Sequence, residues 1–595
     1  MNKVIPLEIG ALQAAYSRGE WTPEQVIEEI YARIPEKHPV WIELVDKEKN
    51  FHRLKHIKEN AQEKNQPLYG IPFAVKDNMD VAGMTTTAGC PAFAYTARET
   101  AAAVQQLLDA GAILIGKTNM DQFATGLVGT RTPYGACESV VAPGIISGGS
   151  SSGSAVAVAH GLVSFALGTD TAGSGRVPAA MNQIVGWKPT PGLVSTHGVV
   201  PACRSLDCVS VFAQTCRDAA TILEILRSRI PRPGESASPW ALSEDFRFGV
   251  PEQLEFFGDG EAEAAYLRAV EALKQLGGEA VRFDYSPLAE AAKLLYDGPW
   301  VAERTAAVGE FAAVHEAEMD PTVRGIVLSG QRFTAVDAFC GQYRIRELKA
   351  EAEVLMQRVD FLLLPTTPTV FTIEEIRQEP VRRNSQLGWY TNFVNLMEMA
   401  AVAVPGGLRG DGRPSGVSLV GSSGSDEGLL RMADRLHRAL CSEMPIGATG
   451  NRLNATAPME QGAPLRGVME MAVVGAHLSG QPLNWQLTER RARRVRTVRT
   501  AGGYRLYALQ ATVPAKPGLV YEPGFDGTGI EVEVWAMPED TVGSFLAAIP
   551  APLGLGTILL EDGSTVKGFL CEPAGVIGAE EITALGGWRA YRARG

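Results

Sequence analysis

The stretch GGSSSGSAVAVAHGLVSFALGTDTAGSGR, residues 148–176, contains two clusters rich in glycine and serine, one at each end. Such clusters are most often flexible linkers when they stand alone. Here they flank Ala155 to Leu167, a strongly apolar run that we interpret as helix-like and that a solvated linker would not contain. The two clusters are therefore predicted to be ordered turns at the ends of buried core elements.

Two kinds of chemistry suit these clusters. A phosphate-binding loop is one alternative, although no G-K-[ST] motif follows. A serine nucleophile is the other, and it needs a base to take its proton and backbone N–H groups to hold the developing oxyanion. Gly173 beside Ser174 would let main-chain N–H groups approach a substrate carbonyl without a Cβ in the way. The G-x-S-x-G elbow of other hydrolases is absent, because Gly173 and Gly175 each stand one place too near Ser174.

The base for such a serine would be a histidine or a lysine. His160 and His197 lie nearby in sequence, and we interpret both as incidental helix or loop residues. Lys76 is the lysine candidate, because it ends an apolar strand where burial would disfavour its charged form. The residues alone also allow Lys76 to be an ordinary surface lysine, and Lys117 and Lys188 compete with it on the same terms.

Outward from this stretch, apolar strands alternate with helices. Thr22, Pro23 and Gln25 predict the start of an N-terminal helix, since they supply a hydroxyl cap, a proline at the first position and a capping-box glutamine. The further predicted elements are the strand 71–75, the helix 101–109, the strand 112–115, the strand 247–250, the helix 261–275, the strand 280–283 and the strand 362–364. This alternation predicts an α/β fold with a mixed β-sheet core flanked by helices.

The composition and the hydrophobic periodicity of the sequence change after residue 445. Residues 446–466 lack periodicity and are rich in Gly, Pro, Asn, Ala and Thr, which is typical of a linker. Short strands and turns follow, including a strand at 532–536. We therefore predict a large α/β domain at 1–445, a linker at 446–466 and a small α+β domain at 467–595.

The composition excludes several classes of protein. Of the 595 residues, 45% are apolar and 21% are charged, which argues against disordered and collagen-like chains. The net charge of −12 argues against a nucleic-acid or anionic-membrane partner. No secretion signal or membrane span is visible, so a cytoplasmic location is expected. Cysteine and histidine lack metal-ligand spacing, so reduced thiols and no bound metal are expected.

Three motifs, in this order, resemble the amidase signature family. They are KDN at 76–78, GGSS at 148–151 and GTDTAGSGRVPAA at 168–180. Residues 70–215 match the family pattern closely, and the general resemblance covers 1–440. It implies the amidase-signature fold for the first domain and hydrolysis of amides by a Ser–cis-Ser–Lys triad, with no cofactor.

Carried over by motif, the resemblance implies that Lys76 is the base, Ser150 the bridging serine in a cis peptide and Ser174 the nucleophile. Ser150 would relay a proton from Ser174 to neutral Lys76 and later return one to the leaving nitrogen. The implied oxyanion hole consists of the N–H groups of Thr171, Ala172, Gly173 and Ser174. The resemblance also implies that Asp170 and Arg176, which flank the nucleophile, form a scaffold ion pair.

The segment YDGPWVAER at 296–304 resembles the substrate-binding segment of allophanate hydrolases, a subgroup of the family. The resemblance implies that Tyr296 and Arg304 hold the substrate carboxylate, for which an arginine fork offers two parallel donors. Without the resemblance, the residues equally allow a helix on which Arg304 pairs with Glu303 or is exposed. The run VVPACRSLDC at 199–208 is also typical of the subgroup.

The segments 474–484 and 504–509 resemble the extra C-terminal domain of allophanate hydrolases. The resemblance implies that this domain helps to decarboxylate N-carboxycarbamate, the first product, with His477 as its candidate residue. An equal alternative is that His477 is a turn residue hydrogen-bonded to backbone. The resemblance further implies coupling to a biotin-dependent urea carboxylase, conversion of allophanate to ammonia and carbon dioxide, and a homodimer.

Two rival functions follow from the same resemblance. A general amidase or glutamine amidase should lack the Tyr296 and Arg304 pair and the second domain. A binding module that has lost catalysis should have lost Lys76, Ser150 or Ser174, and all three are present. Residues 138–146 resemble the subgroup less than their flanks do, which bears on substrate fit rather than on the triad.

Overall fold

In a computed structural model, the described part of the chain comprises residues 5–34, 39–59, 66–227, 238–459 and 465–594. It divides into two compact units, the first within 1–235 and 247–459 and the second within 236–246 and 460–595. Residues 460–464 of the predicted linker lie outside the described residues. The predicted domain limits at 445 and 467 stay a prediction, and residues 447–459 belong to the first unit.

The first unit is built on a large mixed sheet. Its described strands are β1 (Trp41–Leu44), β2 (Pro72–Lys76), β3 (Thr85–Thr86), β4 (Tyr95–Thr96), β5 (Ile113–Thr118), β6 (Glu138–Ser139), β7 (Ala142–Ile146), β8 (Phe165–Asp170), β9 (Val185–Lys188), β10 (Cys208–Ala213), β11 (Phe246–Pro251), β12 (Gly278–Phe283), β13 (Phe361–Pro365), β14 (Ala400–Leu408) and β15 (Pro414–Gly421). Eleven of these described strands form the sheet, in the order β1-β5-β2-β8-β10-β9-β14-β15-β13-β11-β12. β2 is parallel to β5 and β8, whereas β10 is antiparallel to β8 and β9. The predicted mixed sheet is confirmed.

Helices pack against this sheet. The described helices of the first unit are α1 (Ile9–Ser17), α2 (Pro23–Arg33), α3 (Lys47–Glu59), α4 (Ala102–Asp109), α5 (Ser152–Ala159), α6 (Val177–Met181), α7 (Cys216–Leu226), α8 (Gly260–Gln275), α9 (Ser286–Leu294), α10 (Val301–Val314), α11 (Pro321–Ser329), α12 (Ala335–Met356), α13 (Ile373–Gln378), α14 (Arg382–Leu387), α15 (Phe393–Leu396) and α16 (Asp426–Cys441). α2 begins as predicted, because Thr22 and Gln25 form the reciprocal bonds of a capping box. The other predicted elements of this unit are also confirmed, with ends that coincide or differ by up to three residues.

One predicted element is wrong. The apolar run from Ala155 to Leu167 is not a single helix, because α5 ends at Ala159 and β8 begins at Phe165. Gly161 adopts a φ of +67° after the helix, and its N–H and that of the next residue bond back into the last turn. Both elements are fully buried, so the sequence is apolar throughout and lacks the periodicity that separates helix from strand.

The second unit contains two small sheets. Its described strands are β16 (Val468–Val473), β17 (Arg493–Arg499), β18 (Tyr504–Ala508), β19 (Pro517–Tyr521), β20 (Glu531–Pro538), β21 (Leu553–Leu559), β22 (Thr565–Cys571) and β23 (Glu580–Glu581), and its described helices are α17 (Trp485–Thr488), α18 (Glu539–Leu546) and α19 (Trp588–Arg592). The described strands pair in the orders β17-β20-β16-β22-β21 and β19-β18-β23. The predicted small α+β fold is confirmed.

Candidate active site

The two glycine- and serine-rich clusters lie at the same end of a helix–strand pair. α5 begins at Ser152, β8 ends at Asp170, and a turn at 160–164 joins them. Because β8 runs back along α5, the loop before the helix and the loop after the strand meet at one end. There Oγ of Ser150 lies 3.0 Å from Oγ of Ser174.

Lys76 reaches the same place from the neighbouring strand. It is the last residue of β2, which runs parallel to β8, so the carboxyl ends of both strands lie at one edge of the sheet. Nζ of Lys76 lies 2.7 Å from Oγ of Ser150 and 2.8 Å from Oγ1 of Thr169. Lys76, Ser150 and Ser174 are all buried. The structure therefore connects the amine of Lys76, the hydroxyl of Ser150 and the hydroxyl of Ser174 by consecutive hydrogen bonds.

Burial determines the protonation of Lys76. Loss of solvation lowers the pKa of its amine to about 7. The carboxylates of Asp121, Asp207 and Asp170 act to raise this pKa, whereas Arg304 acts to lower it further. An amine with a pKa near 7 is partly neutral at physiological pH, and only the neutral form can accept a proton. The alternative of an ordinary surface lysine is wrong.

The loop that bears Ser150 is shaped by Asp121. The peptide bond between Gly149 and Ser150 is cis, as the resemblance implies. A Cβ at Gly149 would collide with Oδ2 of Asp121, so the close approach requires glycine here. The Asp121 carboxylate also accepts hydrogen bonds from the N–H groups of Gly129 (3.0 Å) and Arg131 (2.9 Å). Asp121 therefore joins two loops around the bridging serine.

Asp170 shapes the loop that bears Ser174. Its Oδ2 accepts from Nε of Arg176 at 2.9 Å in a fully buried ion pair, which confirms the implied scaffold pair. The same carboxylate accepts from the N–H groups of Gly173 (2.8 Å) and Gly175 (3.0 Å). Burial raises the pKa of Asp170, but Arg176, Lys188 and the N–H of Gly175 outweigh burial, and the pKa lies below its usual value.

The N–H groups implied as an oxyanion hole fall into two sets. The N–H of Gly173 donates to Asp170, so for this residue the expectation of an open donor is wrong. In the described part of the chain, no acceptor contacts the N–H groups of Thr171, Ala172 or Ser174. All three residues are buried, and buried N–H groups without an acceptor are rare. These three are the open donors beside the nucleophile.

Tyr296 and Arg304 lie together, as the resemblance implies. Arg304, on α10, is 1% exposed, so the alternative of an exposed arginine or one paired with Glu303 is wrong. Its Nη1 donates to Oγ1 of Thr125 (2.8 Å) and to the carbonyl of Ala124 (3.3 Å), and its Nη2 donates to the hydroxyl oxygen of Tyr296 (3.3 Å). Among the described residues, no carboxylate forms an ion pair with this buried cation.

A short backbone segment connects this pair with the nucleophile. Oγ of Ser174 lies 3.5 Å from the carbonyl oxygen of Gly126, and the preceding residue, Thr125, contacts Arg304. Adjacent Cα atoms are only about 3.8 Å apart. The guanidinium of Arg304 and Oγ of Ser174 are therefore close enough for one small molecule to contact both.

The competing bases have other contacts. Nζ of Lys117 lies 3.2 Å from Oδ1 of Asp77 in a buried ion pair. The amine of Lys188 is buried against two backbone carbonyls. His160 and His197 are exposed, whereas Ser174 is buried, which confirms that both histidines are incidental to the triad.

Two residues at the site were not assigned from the sequence. Thr169 contacts the amine of Lys76, and Asp207 accepts a hydrogen bond from Thr171. A polar residue near the end of the apolar strand FALGTD was a usable signal for Thr169. Asp207 gave no local signal, because its partner is 36 residues away in sequence.

The second unit has a cavity of its own, of about 240 Å³. The His477 ring lines it, stacks on Phe569 at 5.0 Å between centroids, and lies with its Nε2 2.9 Å from Oε1 of Gln486. Lys516 lines the same cavity. Burial lowers the pKa of His477, so its imidazole is neutral near pH 7. His477 lies in a turn, as the alternative has it, but its ring bonds the Gln486 side chain rather than backbone.

The described ranges show no features of a metal site or of a membrane-spanning helix. Within them, no group of three or more His, Cys, Asp or Glu side chains could hold a metal ion. No helix of the described ranges combines the length and apolar character needed to cross a bilayer. All eight cysteines lie in described ranges and form no disulfide.

Comparison with known proteins identifies relatives over the full chain. The urea amidolyase of Saccharomyces cerevisiae is 41% identical over 573 residues, which cover 93% of this chain and 31% of that protein. This chain thus spans about a third of the urea amidolyases that it matches. A solved structure of Kluyveromyces lactis allophanate hydrolase is 40% identical, with a TM-score of 0.83 and full coverage of both chains. A glutamyl-tRNA(Gln) amidotransferase subunit of Symbiobacterium thermophilum is 36% identical, over 62% of this chain and 82% of that protein.

Family models divide the chain in the same sense. The Amidase model matches residues 25–430, and the model of the allophanate hydrolase C-terminal domain matches residues 469–593. The first match includes both clusters, Lys76 and Arg304, and the second includes His477. The chain therefore belongs to the amidase family of amide-hydrolysing enzymes, and its amidase region is followed by an allophanate hydrolase C-terminal domain.

Proposed function

We propose that this enzyme hydrolyses allophanate, the carboxylated form of urea, to ammonia and carbon dioxide. The observation that carries the proposal is the buried Arg304, which has no carboxylate partner among the described residues and lies close to Ser174. A buried cation without a counter-ion is costly, and an anionic ligand removes that cost. Allophanate has one carboxylate and one terminal amide, separated by a single nitrogen.

The proposed first step forms an acyl-enzyme. Neutral Lys76 accepts a proton from Ser150 as Ser150 takes one from Ser174, and Ser174 Oγ attacks the carboxamide carbon. The N–H groups of Thr171, Ala172 and Ser174 bind the oxyanion. Lys76 then returns the proton through Ser150 to the leaving nitrogen, the carbon–nitrogen bond breaks, ammonia departs, and Lys76 is neutral again.

Water completes the first reaction. It attacks the acyl-enzyme carbonyl as Lys76 takes a proton from it through Ser150, and Lys76 then returns this proton through Ser150 to the Ser174 oxygen as that oxygen leaves. The product is N-carboxycarbamate. Throughout, the substrate carboxylate is held by the Arg304 guanidinium and the Tyr296 hydroxyl, which fixes the amide carbon against the nucleophile.

The second unit is proposed to decarboxylate this product. His477 and Lys516 line a cavity that suits this small dianion: the neutral imidazole orients it, and the lysine ammonium gives its proton to the nitrogen as the carbon–nitrogen bond breaks and carbon dioxide leaves. The name of the urea amidolyases supports coupling to a biotin-dependent urea carboxylase that supplies allophanate. A homodimer and a cytoplasmic location complete the proposal.

The test measures ammonia release from allophanate and from malonamide, an uncharged amide, with wild type, Arg304→Ala and Tyr296→Phe. Arg304→Ala should reduce kcat/KM for allophanate by roughly 10- to 100-fold, the effect of losing charge-assisted hydrogen bonds. The uncharged amide should be affected much less. Tyr296→Phe removes only a hydroxyl and should give a smaller loss with the same selectivity. An Arg304→Ala enzyme that treats both substrates alike would contradict the assignment.

A further inference from the structure

Asp207 is a buried carboxylate that the mechanism above does not use. It is 8% exposed, and no lysine or arginine of the described chain forms an ion pair with it. Three donors hold it: the hydroxyl of Thr171 at 2.5 Å, and the N–H groups of Ala202 (2.8 Å) and Cys203 (3.2 Å). Burial raises the pKa of Asp207, and these three donors act to lower it.

Its position links the two parts of the site. Thr171 is the first residue after β8 in the loop that leads to Ser174. Asp207 directly precedes β10, the antiparallel neighbour of β8. One carboxylate therefore fastens the start of the nucleophile loop to the adjacent strand, and the open N–H groups of that loop follow within three residues.

The segment that contains Asp207 also borders the substrate-binding helix. Glu303, on α10, accepts a hydrogen bond from the N–H of Ser205 at 2.8 Å. The negative charge of Asp207 interacts electrostatically with both Lys76 and Arg304, and it acts to raise the pKa of each. A group so placed can affect both the geometry and the charge of the reaction centre.

We propose that Asp207 is a positioning residue: through its hydrogen bond with Thr171 it aligns the open N–H groups of the loop that leads to Ser174. The proposal rests on the amide chemistry proposed above, but it does not depend on which amide is cleaved. A role in fold stability alone would give neither the alignment nor the electrostatic effect.

The expected pH effect has a definite sign. The charged groups that act on Lys76 are Asp121, Asp207, Asp170 and Arg304. Replacing Asp207 with asparagine removes one of three negative charges that favour the ammonium, so the pKa of Lys76 should fall. The acid limb of the rate profile should then move to lower pH, whereas distortion of the fold alone has no reason to move it in that direction.

Asp426 offers a matched control. Its carboxylate is also buried, and it is also held by a threonine hydroxyl and N–H donors: Oγ1 of Thr190 at 2.6 Å, the N–H of Thr190 at 2.9 Å and Nε1 of Trp187 at 3.0 Å. It is not among the groups that act on Lys76. Asp426→Asn thus reproduces the loss of a buried carboxylate without touching the nucleophile loop.

The experiment compares full-length wild type, Asp207→Asn and Asp426→Asn in kcat, KM, pH profile and thermal stability, with allophanate and with malonamide. Asp207→Asn should lower kcat by about tenfold or more, as expected for misaligned oxyanion donors, with a much smaller change in KM. Its acid limb should move down by roughly half a pH unit or more. Asp426→Asn should lose stability but keep both kcat and the acid limb.

Two outcomes would overturn the proposal. One is an Asp207→Asn enzyme that, like Asp426→Asn, loses only stability. If Asp207→Asn does not fold, Thr171→Val becomes the test, since it removes the contact and keeps the charge. It should lower kcat without moving the acid limb, and an unchanged kcat is the second contrary outcome.

If wild type cleaves malonamide but not allophanate, the proposed substrate fails, and the role of Asp207 is still tested on malonamide.

Discussion

At the scale of the residue, solvation decides what Lys76 can do. A lysine in water has a pKa near 10.4 and is a poor base at neutral pH. In the structure, Lys76 has no exposed surface, and among the described residues its amine bonds only the hydroxyls of Ser150 and Thr169. Hydroxyls can accept from an ammonium or donate to an amine, so the site accommodates both protonation states of the relay.

The pH dependence follows from this environment. The pKa of Lys76 is about 7, and the neutral form that accepts the proton predominates above that value. We therefore predict that kcat/KM rises about tenfold per pH unit below pH 7 and levels off above it. Initial rates of ammonia release between about pH 5 and pH 9 measure this profile. A rate that falls across pH 7, or that has no acid limb in this range, would contradict the assignment of Lys76.

Replacement of Lys76 tests directly whether this residue is the base. Lys76→Ala should reduce acylation by ~10²- to 10⁴-fold, the usual contribution of a general base, while the protein remains folded. Stopped-flow or burst measurements of ammonia release report acylation, and circular dichroism reports the fold. Lys188 is the control, since it is also a buried lysine but its amine donates to backbone carbonyls, those of Pro189 and Met399. Lys188→Met should affect stability rather than acylation, and substantial activity in Lys76→Ala would refute the triad.

At the scale of the element, the pairing of α5 with β8 places both serines. The pairing needs a sharp turn after Ala159, and Gly161 supplies it with a left-handed backbone. In the sequence, Gly161 within the apolar run was a signal that the helix ends there. The segments on both sides of it are equally apolar, so the change from helix to strand could not be recognised. Burial on all faces removes the periodicity from which helices and strands are distinguished.

The cost of that turn can be measured. Gly161→Ala forces a side chain into a left-handed conformation, which costs roughly 1–2 kcal/mol, and its Cβ would meet only ordinary contacts at 3.4 Å. We predict a corresponding loss in the free energy of unfolding, read from urea denaturation. Gly260→Ala is the control, because nothing lies within 4 Å of its Cβ position and its φ is not positive. A Gly161→Ala protein as stable as the control would show that the turn does not depend on glycine.

At the scale of the whole molecule, a contact could be predicted when its residues lie close together in sequence or in recognised motifs, and could not when they lie far apart outside such motifs. The contacts among Lys76, Ser150 and Ser174 could be predicted because each of these residues stands in a contiguous motif. The contact of Arg304 with Tyr296 could also be predicted, since the two lie 8 residues apart in one segment, whereas its contact with Thr125 could not, since Thr125 is 179 residues away. The same holds for residues 236–246, which join the second unit, where Ser243 donates to the carbonyl of Arg494, 251 residues away. Local patterns predict elements, whereas such contacts depend on the completed fold.

The two-unit organisation leads to a final prediction about the order of products. The triad lies in the first unit and the His477 cavity in the second, so each reaction should respond to its own residues. In full-length His477→Ala, ammonia from amide cleavage should appear at the wild-type rate, while carbon dioxide lags behind because N-carboxycarbamate accumulates. Ser174→Ala should stop both. Parallel time courses of ammonia and carbon dioxide, at mildly alkaline pH where carbamates decompose slowly, distinguish these cases. If His477→Ala releases the two products in step, as wild type does, the second unit has no part in decarboxylation through this residue.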